Sequence, residues 1–244
     1  MGRRMVQVLS AVVILGSLVD DAFAAEAGTV VRRDWFDLFK ATGTVGILLV
    51  LTSVVGTALL IQYLVNLNET KIGNPALVGE IDALLSENDL DGAYTLAQAD
   101  QSYAGKVMAG AIGRSTGGYE EAMRGLEETA SLQSFKLTAK VSYLSLVGNI
   151  GPLLGLLGTV TGMISSFQVI ESLAVPTPAD LAKGVYESLV NTTMGLFISI
   201  VFLTAYFFMK NRISDITLQA NSTIGEMLSR YLSPEAQRDG KAAR

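Results

Sequence analysis

Residues 141–170 contain no charged side chain, and five glycines recur through them at alternating spacings of three and four: Gly148, Gly151, Gly155, Gly158 and Gly162. At about 100° per residue these glycines fall within roughly 80° of arc on an α-helix. Each glycine in a water-exposed helix costs backbone entropy relative to alanine. Inside a bilayer, small residues let neighbouring helix backbones approach closely. The stretch is therefore expected to be a transmembrane helix packed tightly in a bundle along a glycine seam. On this view the seam is where subunits meet, and leucine at Gly155 or Gly158 should block assembly before it blocks folding.

Two further uncharged stretches flank the first. Residues 41–68 carry no charge, and 22 uncharged residues separate Glu187 from Lys210. Both are long enough to cross the ~30 Å hydrocarbon core. The spans expected are 43–65, 143–170 and 183–209. Half of the 244 residues are hydrophobic, as in a small membrane protein with a modest aqueous part. With no cysteine and no histidine, disulfides, thiolate chemistry, His-ligated metals and a Ser-His triad are excluded. The net charge of −5 gives no support for nucleic-acid binding. No cofactor or metal is implied, and no enzymatic constellation emerges.

The N-terminus has the pattern of a secretory signal over residues 1–24. Arg3 and Arg4 precede an uncharged run of 15 residues, and Ala22-Phe23-Ala24 supplies a small-x-small cleavage site. Cleavage is expected after Ala24, the alternative being an uncleaved anchor, for which the run is short. In the N-terminal segment 25–42, residues 32–40 mix Trp35, Phe36, Leu38 and Phe39 with charges. This suits either a short amphipathic helix at the membrane surface or a plain flanking stretch.

The segment 66–142 is expected to be helical. Helices are expected over 75–85, 90–99 and 104–113, with Pro75 suiting a helix start. From Tyr119 onward, Met123, Leu126, Ala130 and Phe135 keep helical spacing, and no breaker precedes the second span. The two should form one helix of about 50 residues. Residues 210–244 are expected to be a tail, polar from Pro234 onward.

Lysine and arginine set the expected orientation. Six lie between the first two spans and six more follow residue 209, whereas the connection 171–183 has only Lys183. The 66–142 domain and the C-terminus are therefore expected in the cytoplasm. The mature N-terminus and the loop 171–182 are expected in the periplasm.

Glu187 is an ionisable residue just inside the third span, where such groups are costly and by default functional. Ser188, Asn191, Thr192, Gly195 and Ser199 share its side of a helical wheel over about 140°. That stripe is expected to line an interior; the alternative is hydroxyls bonding back to their own helix. Thr159 lies 11 residues in from Ile170 and Thr192 nine in from Lys183, or ~16 and ~14 Å at the helical rise. A short connection makes the two helices antiparallel neighbours, so both hydroxyls should sit at nearly one depth. Thr193 falls about 100° away from Thr192, off the polar face. Pro152 marks either a kink or a packing accommodation. No carboxylate lies at the depth of the threonines, so an acid for proton transfer must come from another subunit.

Residues 146–162 (LVGNIGPLLGLLGTVTG) and 186–196 (YESLVNTTMGL) resemble the MotA/TolQ/ExbB proton-channel family, in particular its ExbB/TolQ branch. The resemblance implies a homopentamer around a dimer of a single-span ExbD- or TolR-like partner that carries the titrating aspartate. It implies that Thr159 and Thr192 line the proton pathway near that aspartate, with Glu187 at its outer mouth. Proton flow would drive a TonB- or TolA-like protein reaching the outer membrane. The pair Thr192-Thr193 stands where the family often has one threonine after a small residue, which leaves protons and sodium both open. A flagellar-type stator and a passive structural scaffold are the competing functions.

Overall fold

The computed structural model describes residues 43–66, 72–173, 175 and 177–232. The expected signal segment and the amphipathic stretch 32–40 lie outside the described residues. Among the described residues all regular structure is helical: α1 (Gly43–Asn66), α2 (Pro75–Ser86), α3 (Leu90–Ala99), α4 (Tyr103–Ile112), a 3₁₀ turn at Ser115–Gly117, α5 (Tyr119–Ser172) and α6 (Pro178–Leu232). Three helices, α1, α5 and α6, are long and apolar enough to cross a membrane. With 54 residues, α5 runs ~80 Å at the helical rise, far beyond the ~30 Å hydrocarbon core. Much of it must therefore lie in water. Pro152 lies inside this helix.

The helix that holds the third expected span is longer than that span at both ends. It starts at Pro178, whose missing N–H is harmless in a first helical turn. It then continues to Leu232, so residues 210–232 are helix instead of tail. Ile213, Ile216, Ile224, Met227 and Leu228 are buried at spacings that keep one face of this extension apolar.

The chain divides into two compact units. The first comprises the described residues up to 60 with those of 144–206, and the second those of 61–143 with 207–232. In the second unit, a conventional apolar core joins Leu77, Ile81 and Leu85 of α2, Val107 and Met108 of α4, Leu126 of α5, and Ile224 and Leu228 of α6. The short helices are capped locally. Asn74 accepts from Leu77 N, Asp89 from Gly92 N at 2.9 Å, and Ser102 from Gly105 N at 3.0 Å. Tyr103, buried on α4, donates to Asn221 Oδ1 of α6 at 2.8 Å and accepts from Ser134 Oγ of α5 at 3.3 Å. Burial pushes its phenol pKa up, with the two hydrogen bonds pulling the other way. At the surface Arg114 bonds Glu128 at 2.6 Å, and that guanidinium holds the Glu128 carboxyl below its usual range.

Candidate functional site

In the first unit α5 and α6 lie against each other as an antiparallel pair, and the five seam glycines are what α6 packs on. A Cβ at Gly148 would stand 2.7 Å from Leu203 Cγ, and one at Gly151 2.8 Å from the Gly195 carbonyl oxygen. At Gly155 it would meet Thr192 Cα at 3.0 Å, and at Gly158 it would meet Asn191 Cβ at 2.6 Å. At Gly162 it would fall onto Ser188 Oγ. At this separation a Cβ at every seam position would press on α6, most closely at Gly162, Gly158 and Gly148. The seam is thus filled within one chain. A leucine introduced there meets the chain's own α6 before it meets any other subunit, because α6 already occupies the hollow.

The same pairing accounts for the polar side of α6. Ser188, Asn191 and Ser199 are buried, as is Gly195, and they are among the residues that face the seam. This stripe packs on glycine instead of lining an open interior. Small side chains are needed wherever two backbones come this close. Ser188 meets its hydrogen-bonding requirement locally: its Oγ donates to Gly184 O at 2.7 Å. Thr193 likewise bonds back to Leu189 O at 3.0 Å.

Thr192 differs from these. Its hydroxyl leaves its own helix and donates to the Gly155 carbonyl oxygen of α5 at 3.1 Å. That carbonyl lies one turn before Thr159, whose backbone N–H points to it in the helical ladder. Since Gly158 faces Asn191 and the helices are antiparallel, Thr159 is level with about Val190, two residues or ~3 Å along the axis from Thr192. The two threonines, counted to one depth from the sequence, are brought to one turn of the hairpin. Thr159 Oγ1 donates to Leu156 O at 2.7 Å, and both threonines are half-buried. Each hydroxyl proton is engaged by a backbone carbonyl, so each oxygen offers its lone pairs outward as an acceptor.

Glu187 is half-buried and belongs to no glycine contact. On the helical wheel it lies about 140° from Thr192, at the far edge of the polar side. The structure therefore groups Thr159, Thr192 and the seam, and leaves Glu187 apart. Two residues that the sequence reading passed over belong to the hairpin. Ser166 is buried and bonds Gly162 O at 2.8 Å, and a Cβ at Gly184 would fall onto Ser166 Oγ. The spacings Gly162 to Ser166 and Gly184 to Ser188 are the signal for them. A third contact joins α1: a Cβ at Gly56 would stand 2.6 Å from Phe202 Cζ of α6.

A close-packed helical hairpin with hydroxyls at a common level, flanked by a third apolar helix, defines a membrane-embedded bundle subunit. Residues 98–222, just over half of the chain, match the MotA/TolQ/ExbB proton channel family, and the chain belongs to that family. It is 24% identical over 182 residues to a biopolymer transport protein ExbB homolog of Methanothermobacter thermautotrophicus, covering 73% of this chain and 64% of that one. It is 36% identical over 87 residues to the Tol-Pal system protein TolQ of Pseudomonas aeruginosa, covering 36% and 38% of the two chains. With the biopolymer transport protein ExbB of Xanthomonas campestris it shares 33% identity over 99 residues, 41% of this chain and 39% of that one. The chain thus spans less than two-thirds of the length of each of these relatives. These relatives set it on the ExbB/TolQ branch. Its fold is like that of a chain in the structure of C. jejuni MotAB, with a TM-score of 0.57 and 15% identity over 97% of this chain and 93% of that one.

Proposed function

We propose that the chain is an inner-membrane proton-channel subunit of a TonB- or Tol-type energy-transducing complex. It uses the proton motive force to drive outer-membrane transport or envelope maintenance. The observation that carries this is the bond from the Thr192 hydroxyl to the Gly155 carbonyl. It holds Thr192 within one turn of Thr159, and together with the Thr159 bond to Leu156 O it leaves both hydroxyl oxygens as acceptors. An acceptor pair at mid-membrane, where water is scarce, can hold water by accepting its hydrogen bonds, or accept a hydrogen bond from a facing protonated acid. Neither α5 nor α6 carries a carboxylate at that level. The acid therefore belongs to a partner, an ExbD- or TolR-like single-span subunit enclosed by a homopentamer of this chain. A TonB- or TolA-like protein takes up the resulting motion.

Glu187 stands at the outer mouth, where its charge gathers cations. The 66–142 domain and the C-terminus are cytoplasmic, in keeping with the lysines and arginines they carry. Reporters after Arg244 and near Ser102 should then read cytoplasmic, and one near Pro176 periplasmic. The function is tested in vesicles holding this chain with its single-span partner under a pH gradient. Proton influx should require both proteins and should fall partly in Glu187→Gln. Influx that is equal without the partner, or absent with it, contradicts the proposal.

A further inference from the structure

At the end of the hairpin next to the α5–α6 connection, the two helices carry one short pattern in opposite directions. Gly162 and Ser166 lie on α5, and Gly184 and Ser188 on α6. Each serine hydroxyl donates to the glycine carbonyl of its own helix, Ser166 to Gly162 at 2.8 Å and Ser188 to Gly184 at 2.7 Å. Each serine then fills the hollow left by the glycine of the other helix. A Cβ at Gly162 would fall onto Ser188 Oγ, and a Cβ at Gly184 onto Ser166 Oγ. Both serines are almost fully buried, with 4% and 2% of their surface exposed. Because each hydroxyl is satisfied within its own turn, burying it leaves no unmet polar group.

We propose that this reciprocal glycine–serine lock is the positioning element of the proton pathway, with Ser166 and Ser188 as positioning residues acting through Thr192. The inference rests on the channel function proposed above. A row of glycines alone is smooth and lets one helix slide along the other. A hydroxymethyl group seated in a hollow resists sliding, and one on each helix resists it in both directions. Ser188 precedes Thr192 by one turn on the same face. A shift at the lock is passed along a rigid helix to the Thr192–Gly155 bond, whose 3.1 Å leaves a few tenths of an ångström before the hydrogen bond is lost.

The two halves of the lock respond differently to exchange of bulk. With Ser188 Oγ removed, a Cβ at Gly162 would next meet Ser188 Cβ at 3.4 Å, an ordinary contact. With Ser166 Oγ removed, a Cβ at Gly184 would still meet Ser166 Cβ at 2.9 Å. Gly162 and Ser188 are therefore the pair in which the side chain can be traded across the interface.

The test compares wild type, Gly162→Ala, Ser188→Ala and the double variant in the full chain with its single-span partner. Proton flux is measured per assembled complex, and the melting temperature of the complex is measured alongside. Gly162→Ala should lower both, the flux by about tenfold, as expected for displaced reacting groups. Ser188→Ala alone empties the hollow at Gly162 and should lower flux by a smaller factor, and the double variant, whose new Cβ refills that hollow, should recover flux and melting temperature together. Unchanged flux in Gly162→Ala, or a double variant as slow as Gly162→Ala, overturns the inference. A wild-type complex that moves no protons contradicts the channel function instead. In that case a melting temperature that the double variant does not recover overturns the lock by itself.

Discussion

The two units of this chain solve the packing problem with opposite materials. In the second unit, helices meet through large apolar side chains such as Ile81, Met108 and Leu228, each nearly or fully buried. Its surface is charged, as at the Arg114–Glu128 pair. In the first unit the most intimate contact is made by glycine, serine, asparagine and threonine, while Leu153, Leu156, Ile164 and Leu189 point outward. The difference follows from the solvent. Water drives apolar side chains together, at roughly 25 cal/mol per Å² removed. Lipid does not, because the tails are as apolar as leucine, so helices there associate through backbone proximity and hydrogen bonds. A polar residue that would weaken the core of the second unit is therefore a packing residue in the first.

Substitutions sharpen that contrast. The largest effect is expected at the seam. Gly155→Leu forces a branched side chain into a gap where even a Cβ would press on the Thr192 backbone at 3.0 Å, so its cost should exceed the ~1–3 kcal/mol usual for added methylenes. Purified protein should lose its thermal unfolding transition, and a stable monomer that merely fails to oligomerise would show that the seam faces another subunit. Next comes Ile81→Ala in the second unit, where a cavity in a fully buried apolar core should cost ~2–5 kcal/mol in urea denaturation. An effect below that range would mean the unit is not held by its apolar core.

A smaller loss, ~1–2 kcal/mol, is expected for Tyr103→Phe, which leaves Asn221 Oδ1 without its donor. Because burial raises the Tyr103 pKa, the folded unit holds the phenol proton more tightly than the unfolded chain does. Its contribution is complete below the ordinary tyrosine range and disappears as pH rises through the raised value. Wild type should therefore lose its advantage over Tyr103→Phe only at alkaline pH, and a loss near neutrality would refute the burial argument. Smallest of all is Thr193→Ala, which removes only a bond to its own helix and should leave proton flux unchanged.

Much of this architecture was legible in the sequence, for identifiable reasons. Uninterrupted helical spacing from Tyr119 into the glycine stretch announced a single long α5. Pro75 marked the start of the first short helix. The common level of Thr159 and Thr192 followed from counting residues on either side of a short connection. The extension of α6 to Leu232 carried the same kind of signal in Ile213, Ile216 and Ile224. The expected span ends at residue 209 instead because Lys210 closes the uncharged run. The destination of the seam could not be read. Glycine spacing shows that a face is made for close approach, but not which helix approaches it. Only the opposing pattern Gly184 to Ser188 points to α6, and it becomes meaningful once the two helices are seen side by side.

The account depends most on two hydroxyls acting as acceptors at one level of the membrane. Its most direct test is proton flux through the complex of this chain with its single-span partner, comparing Thr192→Ser and Thr192→Val, each alone and with Thr159→Ala. Valine keeps the shape of threonine but has no oxygen, whereas serine keeps the hydroxyl. Thr192→Ser should conduct near the wild-type rate. Thr192→Val should conduct poorly while melting at a temperature close to that of wild type, and Thr192→Val with Thr159→Ala should be inactive yet assembled. Full flux through that double variant would contradict the claim that protons use this pair.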